Sequence, residues 1–204
     1  MIAVYDFDPA RRTNAQAISD LAAIRLLSTD DRVLDTTVGP ERGFWKLWEP
    51  HHLVTNDLDP NVTATHHFDA RAIPYGDRSF DVVVFDPPYA NRGTAKTREI
   101  DTRFGTNEYR SPAAVESLLV DGTVEALRVV VPGGIVLVKC QDATVANKLR
   151  PQSYPVWAAA TEAGARLAAL LYVVGHREQP TGKRQANVWS NCSTLMAFER
   201  HPRR

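Results

Sequence analysis

Apolar positions recur along this chain in two rhythms. From Ala15 to Leu27, behind the capping residues Thr13 and Asn14, they fall at Ile18, Leu21, Ala22 and Ile24. Steps of three and four put them on one face of a helix. The next apolar segments are short and extended: Val33-Leu34-Asp35, Leu53-Val54-Thr55, and a weaker one ending near Phe68-Asp69. A short helix carrying Phe44, Trp45, Leu47 and Trp48 is expected between the first two, ended by Pro50. Asp81-Val82-Val83-Val84-Phe85-Asp86 is continuously apolar between its aspartates, the pattern of a strand buried on both faces of a parallel sheet. Beyond it the pattern predicts a helix from about Pro112 to Val131 and a strand over Ile135–Lys139. A helix over Pro155–Ala163, stopped by Gly164, leads to strands over Leu167–Val174 and Ser193–Phe198.

Strands alternate with helices for most of the length, which predicts an α/β fold with a doubly wound, mostly parallel sheet. The last two strands leave no room for a crossover helix, so they should pair antiparallel. In such sheets ligands bind beyond the carboxyl ends of the strands, at the switch point beside the first strand. The early predicted strands finish at Asp35, Asp57, Asp69 and Asp86, so a carboxylate stands at each end where chemistry belongs.

Asp86-Pro87-Pro88-Tyr89 is the most specific of these signals. At average residue usage such a tetrapeptide arises in a chain this long about once in a thousand times. Asp86 offers a carboxylate and Pro87 a backbone carbonyl, both pure acceptors. Together they suit the two hydrogens of an –NH2 group, leaving its lone pair for an incoming electrophile. The prolines Pro87 and Pro88 stiffen the turn, and Tyr89 supplies a flat face for stacking. The plainer alternative is a strand that ends at two prolines, with Asp86 capping a turn.

The tetrapeptide resembles the Asp-Pro-Pro-Tyr motif of amino-methyltransferases, which modify adenine N6, cytosine N4 or guanine N2. The resemblance extends by motif order from about Thr13 to Phe198. It implies the class I, Rossmann-like fold, with a seven-stranded sheet whose last strand is antiparallel. It also implies S-adenosylmethionine as cofactor, with Asp86 and Pro87 on the target amine and Tyr89 on the base. Asp35-Thr36-Thr37-Val38-Gly39, with Gly43 beyond, looks like the family's cofactor loop; Asp35, Thr37, Gly39 and Gly43 are its candidate residues, and Asp86 borders it. Pro40, Glu41 and Arg42 separate the glycines, a longer interval than the family's Gly-x-Gly. After the second strand Asp57, with Asp59 as second choice, is placed to accept ribose hydroxyls; an aspartate in such a turn is otherwise simply solvated. Asp69 and Ala70 match the family's adenine-contacting segment, where a carboxylate accepts from an amine; a turn cap is the other reading.

Composition sets bounds on this picture. The 204 residues suit one methyltransferase-sized domain over 1–204, with an extended leader at 1–12. Lysine plus arginine equal aspartate plus glutamate at 24 each, so no global field draws the chain to nucleic acid. Holding such a substrate falls to local segments. The polar stretch 90–111 carries Arg92, Lys96, Arg98, Arg103 and Arg110 directly after the motif, and 175–191 holds His176, Arg177, Lys183, Arg184 and Trp189. Cations there suit phosphates, although solvated loops look alike. Neither stretch is long enough for a separate target-recognition domain.

No metal site is expected, because the pairs His51-His52 and His66-His67 are adjacent and point apart. Cys140 and Cys192 read as reduced core thiols. Cys140 is poorly placed as a nucleophile, which argues against cytosine C5 chemistry. No apolar run reaches a membrane span and no signal-peptide pattern opens the chain, so a cytoplasmic enzyme is expected. The resemblance, with its cofactor loop preceding Asp-Pro-Pro-Tyr as in DNA amino-methyltransferases, implies DNA adenine N6 or cytosine N4 as target ahead of an RNA base. A catalytically silent S-adenosylmethionine-binding subunit stays open because of the lengthened glycine turn, and the oligomeric state is not legible.

Overall fold

The computed structural model describes residues 13–88, 111–145, 148–174 and 192–201. The leader 1–12, Tyr89, nearly all of the 90–111 stretch and the whole of 175–191 lie outside the described residues.

Helix α1 spans Asn14–Ala23, and Thr13 caps it through a reciprocal box with Gln16, satisfying two of the first free N–H groups. It ends four residues short of the predicted Leu27. Arg25 turns into the left-handed region at φ 61°, and Leu26 N–H reaches back to the Leu21 carbonyl at 2.9 Å, closing the last turn as a C-terminal cap. Ile24, assigned to the buried stripe by its spacing, is therefore exposed. Strands β1 (Arg32–Asp35), β2 (His52–Thr55) and β3 (Phe80–Phe85) follow. Helix α2 (Pro112–Val129) starts on a Ser111 cap with proline in its first turn. It stops before Val131 because Val130 is already extended, and the chain runs directly into β4 (Val130–Cys140). After β4, strands β5 (Ala143–Val145) and β6 (Lys148–Arg150) form a small separate hairpin that the sequence pattern does not announce. Helix α3 (Ser153–Glu162) ends at Gly164, which takes φ 85°, and β7 (Ala165–Val174) and β8 (Cys192–Arg200) complete the sheet.

The sheet order is β2-β1-β3-β4-β8-β7. The first four strands are parallel, and β8 runs antiparallel to both neighbours. This is the expected doubly wound α/β class with its reversed last strand; among the described residues the sheet has six strands, where seven were expected. The predicted strand ending near Phe68-Asp69 is reduced to one parallel bridge, Asn56 to His66. Past that bridge, the N–H and carbonyl of Phe68 bond the Asn56 side chain at 2.8 and 3.0 Å, so no ladder continues.

Strand side chains alternate between two cores, as a pleated strand requires. Val83 and Phe85 of β3 and Val136 and Val138 of β4 face the α2–α3 side. Val82, Val84, Ile135 and Leu137 face the α1 side. Phe85 fits because α2 carries Gly122 there; a Cβ on Gly122 would lie 2.3 Å from the ring. Arg128 anchors the approach to β3 by donating from all three guanidinium nitrogens, to Glu125, Asp77 and the carbonyls of Ile73 and Tyr75. The expected short helix around Trp45 does not form. Gly39 and Arg42 sit at φ 64° and 49°, and the segment is a series of turns that buries Phe44 and Trp45 and leaves Leu47 outside. Among the described residues, no helix is long and apolar enough to cross a membrane.

Candidate active site

In the sheet order β1 lies between β2 and β3. The chain leaves β1 toward β2 and leaves β3 toward β4, in opposite directions, and the carboxyl ends of such a strand pair are where ligands bind in open α/β sheets. The chain after Asp35 is fixed there by its own polar groups. Both the N–H and the hydroxyl of Thr36 donate to the Val84 carbonyl, at 2.9 and 2.8 Å. Asp35 is fully buried, and its two oxygens accept from Thr37 N–H at 3.0 Å and the Trp45 indole at 2.7 Å. Burial pushes its carboxyl up to about 7, against the opposing effect of those two hydrogen bonds. Asp35 therefore shapes the turn from within.

The turn is then joined to both neighbouring strand ends. The Thr37 hydroxyl accepts the Asp86 N–H at 2.7 Å, joining the glycine turn to the Asp-Pro-Pro segment. Gly39, in the left-handed region that favours glycine, donates its N–H to Asp57 Oδ2 at 2.9 Å. Buried Asn56 locks the frame, donating to the carbonyls of Thr36 and Phe68 at 2.9 and 3.0 Å.

These bonds bring Asp35, Thr37, Gly39, Asp57, Asp86 and Pro87 to one edge of the sheet. Each oxygen of Asp57 accepts one backbone N–H, from Gly39 and Asp59; a carboxylate oxygen has room for a second donor. The other candidates point elsewhere. Asp59 serves its own turn by accepting from Asn61, and those bonds hold its carboxyl below the ordinary range. Both Asp69 oxygens are engaged by the Arg71 guanidinium. Ala70 is buried in the α2–α3 core. Gly43 lies beside Asn14, whose Nδ2 stands 3.9 Å from where its Cβ would be.

The Asp86 side chain is 16% exposed. Lys139 Nζ lies 3.1 Å from one of its oxygens and 3.4 Å from the other, and Asn14 Nδ2 adds a longer contact at 3.4 Å. Burial raises the Asp86 pKa; the charge and hydrogen bonds of Lys139, then Asn14, oppose it. Pro87 is buried and Pro88 partly so. Sequence reasoning passed over Lys139, although a lone cation in the apolar run Ile135–Cys140 was a usable signal. It also missed the roles of Asn14, Asn56 and Trp45, for which no local signal exists.

The Cys140 thiol is buried, and that burial pushes it up to about 12, which removes thiolate reactivity at neutral pH. His51, His66 and His67 pair respectively with Asp30, the Tyr75 hydroxyl and the Asp57 carbonyl. Among the described residues, no group of three or more His, Cys, Asp or Glu is placed to hold a metal.

No protein-family model matches the chain, and no curated protein is significantly similar to it. Solved structures do resemble it. A candidate methyltransferase, BH2331 of Bacillus halodurans, is 15% identical, with 92% of this chain aligned to 100% of that one at a TM-score of 0.57. A candidate methyltransferase solved with the Haloferax volcanii activator Trm112 is 13% identical, with 94% aligned to 95% at 0.56. The Thermus thermophilus candidate DNA modification methylase TTHA0409 aligns at 18% identity and a TM-score of 0.45 over 66% of this chain, which spans only 51% of that protein. At these identities the likeness is one of fold: the chain has the class I, Rossmann-like α/β fold that BH2331 also has.

Proposed function

We propose that this chain is an S-adenosylmethionine-dependent methyltransferase acting on the exocyclic amino group of a nucleic-acid base. Adenine N6 or cytosine N4 of DNA is the favoured target, ahead of guanine N2 or adenine N6 of RNA. A single observation carries the reading. The Asp86-Pro87 acceptors follow a buried central strand, and the Thr37 hydroxyl binds them to the turn that Gly39 and Asp57 complete. A fold by itself hosts many chemistries, so the weight rests on this arrangement and on the Asp-Pro-Pro-Tyr sequence.

The residues present fit the cofactor. Gly39 lets backbone approach a ligand closely, and Asp57 retains acceptor capacity suited to ribose hydroxyls. S-adenosylmethionine, when bound, supplies an electrophilic methyl group. Asp86 and the Pro87 carbonyl accept the hydrogens of the target amine and turn its lone pair toward that methyl. Positioning then does most of the work, with no covalent nucleophile required. In duplex DNA the base is first flipped out, at a cost of a few kcal/mol.

The test is incubation with methyl-tritiated S-adenosylmethionine and, in parallel, duplex DNA, transfer RNA and total protein. Label in DNA supports the favoured target, and label in transfer RNA moves the substrate to RNA. Label in protein, or none in any polymer while cofactor binding is measurable, overturns the base-methylation reading. Asp86→Ala should bind cofactor normally and lose at least about 100-fold in turnover, about 2.7 kcal/mol of transition-state stabilisation.

A further inference from the structure

Lys139 occupies a position where the strand pattern calls for an apolar residue. Strand β4 is buried from Ile135 to Cys140, and Lys139 is its one charged residue there. Lysine is almost never so enclosed unless paired. Its register explains the pairing: Val138 lies opposite Phe85, so the next residues on the two strands, Lys139 and Asp86, stand side by side. The ammonium spans both carboxylate oxygens at 3.1 and 3.4 Å, with a side chain only 9% exposed. Stability is a poor account of this pair, since replacing a buried ion pair by apolar side chains is often neutral or stabilising.

We infer that Lys139 is a positioning residue for the amine acceptor, holding Asp86 in one orientation and in its ionised form. The inference rests on the reading of Asp86 given above. An ionised carboxylate accepts hydrogen bonds only; once protonated it becomes a donor as well and meets an –NH2 group donor to donor. Among the described residues, the other ionisable groups that interact with Asp86 work against its ionisation. Asp35 at the end of β1 is a carboxyl coupled to it, Cys140 on β4 is a thiol coupled to it, and α1 contributes only the amide of Asn14. Lys139 supplies the opposing charge. During transfer the amine lone pair forms the new N–C bond as the methyl–sulfur bond breaks, its electrons remaining on sulfur. The methylated nitrogen is then cationic until one of its protons leaves, to Asp86 or to water. A carboxylate kept ionised accepts from the amine before transfer and can take the proton that leaves after it.

The experiment compares the full chain with Lys139→Met, Lys139→Gln and Lys139→Arg. The first readout needs no substrate: carboxyl 13C NMR follows the Asp86 titration, assigned by its loss in Asp86→Asn. Removing the cation should move that titration upward by about one pH unit or more, and arginine should leave it near the wild-type value. The second readout is the pH profile of kcat on whichever polymer takes label. Its acidic limb should move upward by the same interval in the Met and Gln variants, with KM for the cofactor little changed and with recovery in arginine. An Asp86 titration that stays put in whichever of Met and Gln folds overturns the inference, as does activity lost equally at every pH. If neither neutral variant folds, Lys139 is structural and the inference falls. Absence of any methyl transfer by the wild-type chain overturns the functional reading instead, and the carboxyl titration separates that failure from this one.

Discussion

The indole Nε1 of Trp45 donates to Oδ2 of Asp35 at 2.7 Å, inside a site from which water is excluded. This bond joins the turn after β1 to the chain that follows, in the place where a helix was expected. Trp45→Phe keeps the packing volume and removes the donor. A hydrogen bond to a buried charged group is worth about 1.5–3 kcal/mol, so urea unfolding at pH 7.5 should show a loss of that order. An unchanged midpoint and slope would mean the bond contributes nothing.

Asp35 also makes stability depend on pH, and the sign follows from the direction of its shift. The unfolded carboxyl loses its proton near 3.8, whereas the folded one keeps it to about 7. Between those values the folded state holds more protons, so stability falls as pH rises across the interval and levels off above it. Asp86 shifts in the same direction, so the useful comparison is with Asp35→Asn. Thermal melts from pH 4 to pH 8 should show a clearly shallower decline in that variant. Equal slopes would place the titration elsewhere.

Asn56 substitutes one side chain for the missing strand. Its amide and carbonyl hold Thr36 and Phe68 at three backbone atoms. Asn56→Ala leaves those buried groups without partners and should cost about 2–4 kcal/mol in chemical denaturation. Asn56→Asp puts an acceptor against two carbonyls and should be no better at neutral pH. Wild-type stability in Asn56→Asp would contradict the assignment.

The ring of Phe85 fills the space that Gly122 leaves open. Gly122→Ala forces the ring or the helix to move and should destabilise by about 1–3 kcal/mol. Adding Phe85→Leu should recover part of that loss, so the double variant costs less than the two single changes together. Strict additivity in calorimetry would show that the two residues do not meet.

Much of the fold was legible because its signals are local. The Val82–Phe85 run, the helix start at Pro112 and the stop at Gly164 each depend on neighbours in sequence. The predicted third strand and the helix around Trp45 failed for a shared reason. Their residues carry acceptable propensities, but tertiary contacts intervene: the Asn56 side chain takes both backbone groups of Phe68, and the Trp45 indole donates to the buried Asp35 carboxylate.

The candidate site divides along the same line. Sequence alone determined that carboxylates stand at or just past the ends of β1, β2 and β3 (Asp35, Asp57 and Asp86) and that Asp86 is followed by two prolines, because alternation and turn chemistry act over a few residues. Only the tertiary structure decided that Thr37 carries the Asp86 N–H, that Asp57 takes the Gly39 N–H, and that Lys139 stands on Asp86 from 53 residues away. Strand order and register create those pairs, and they depend on how two buried faces pack rather than on the residues beside each one.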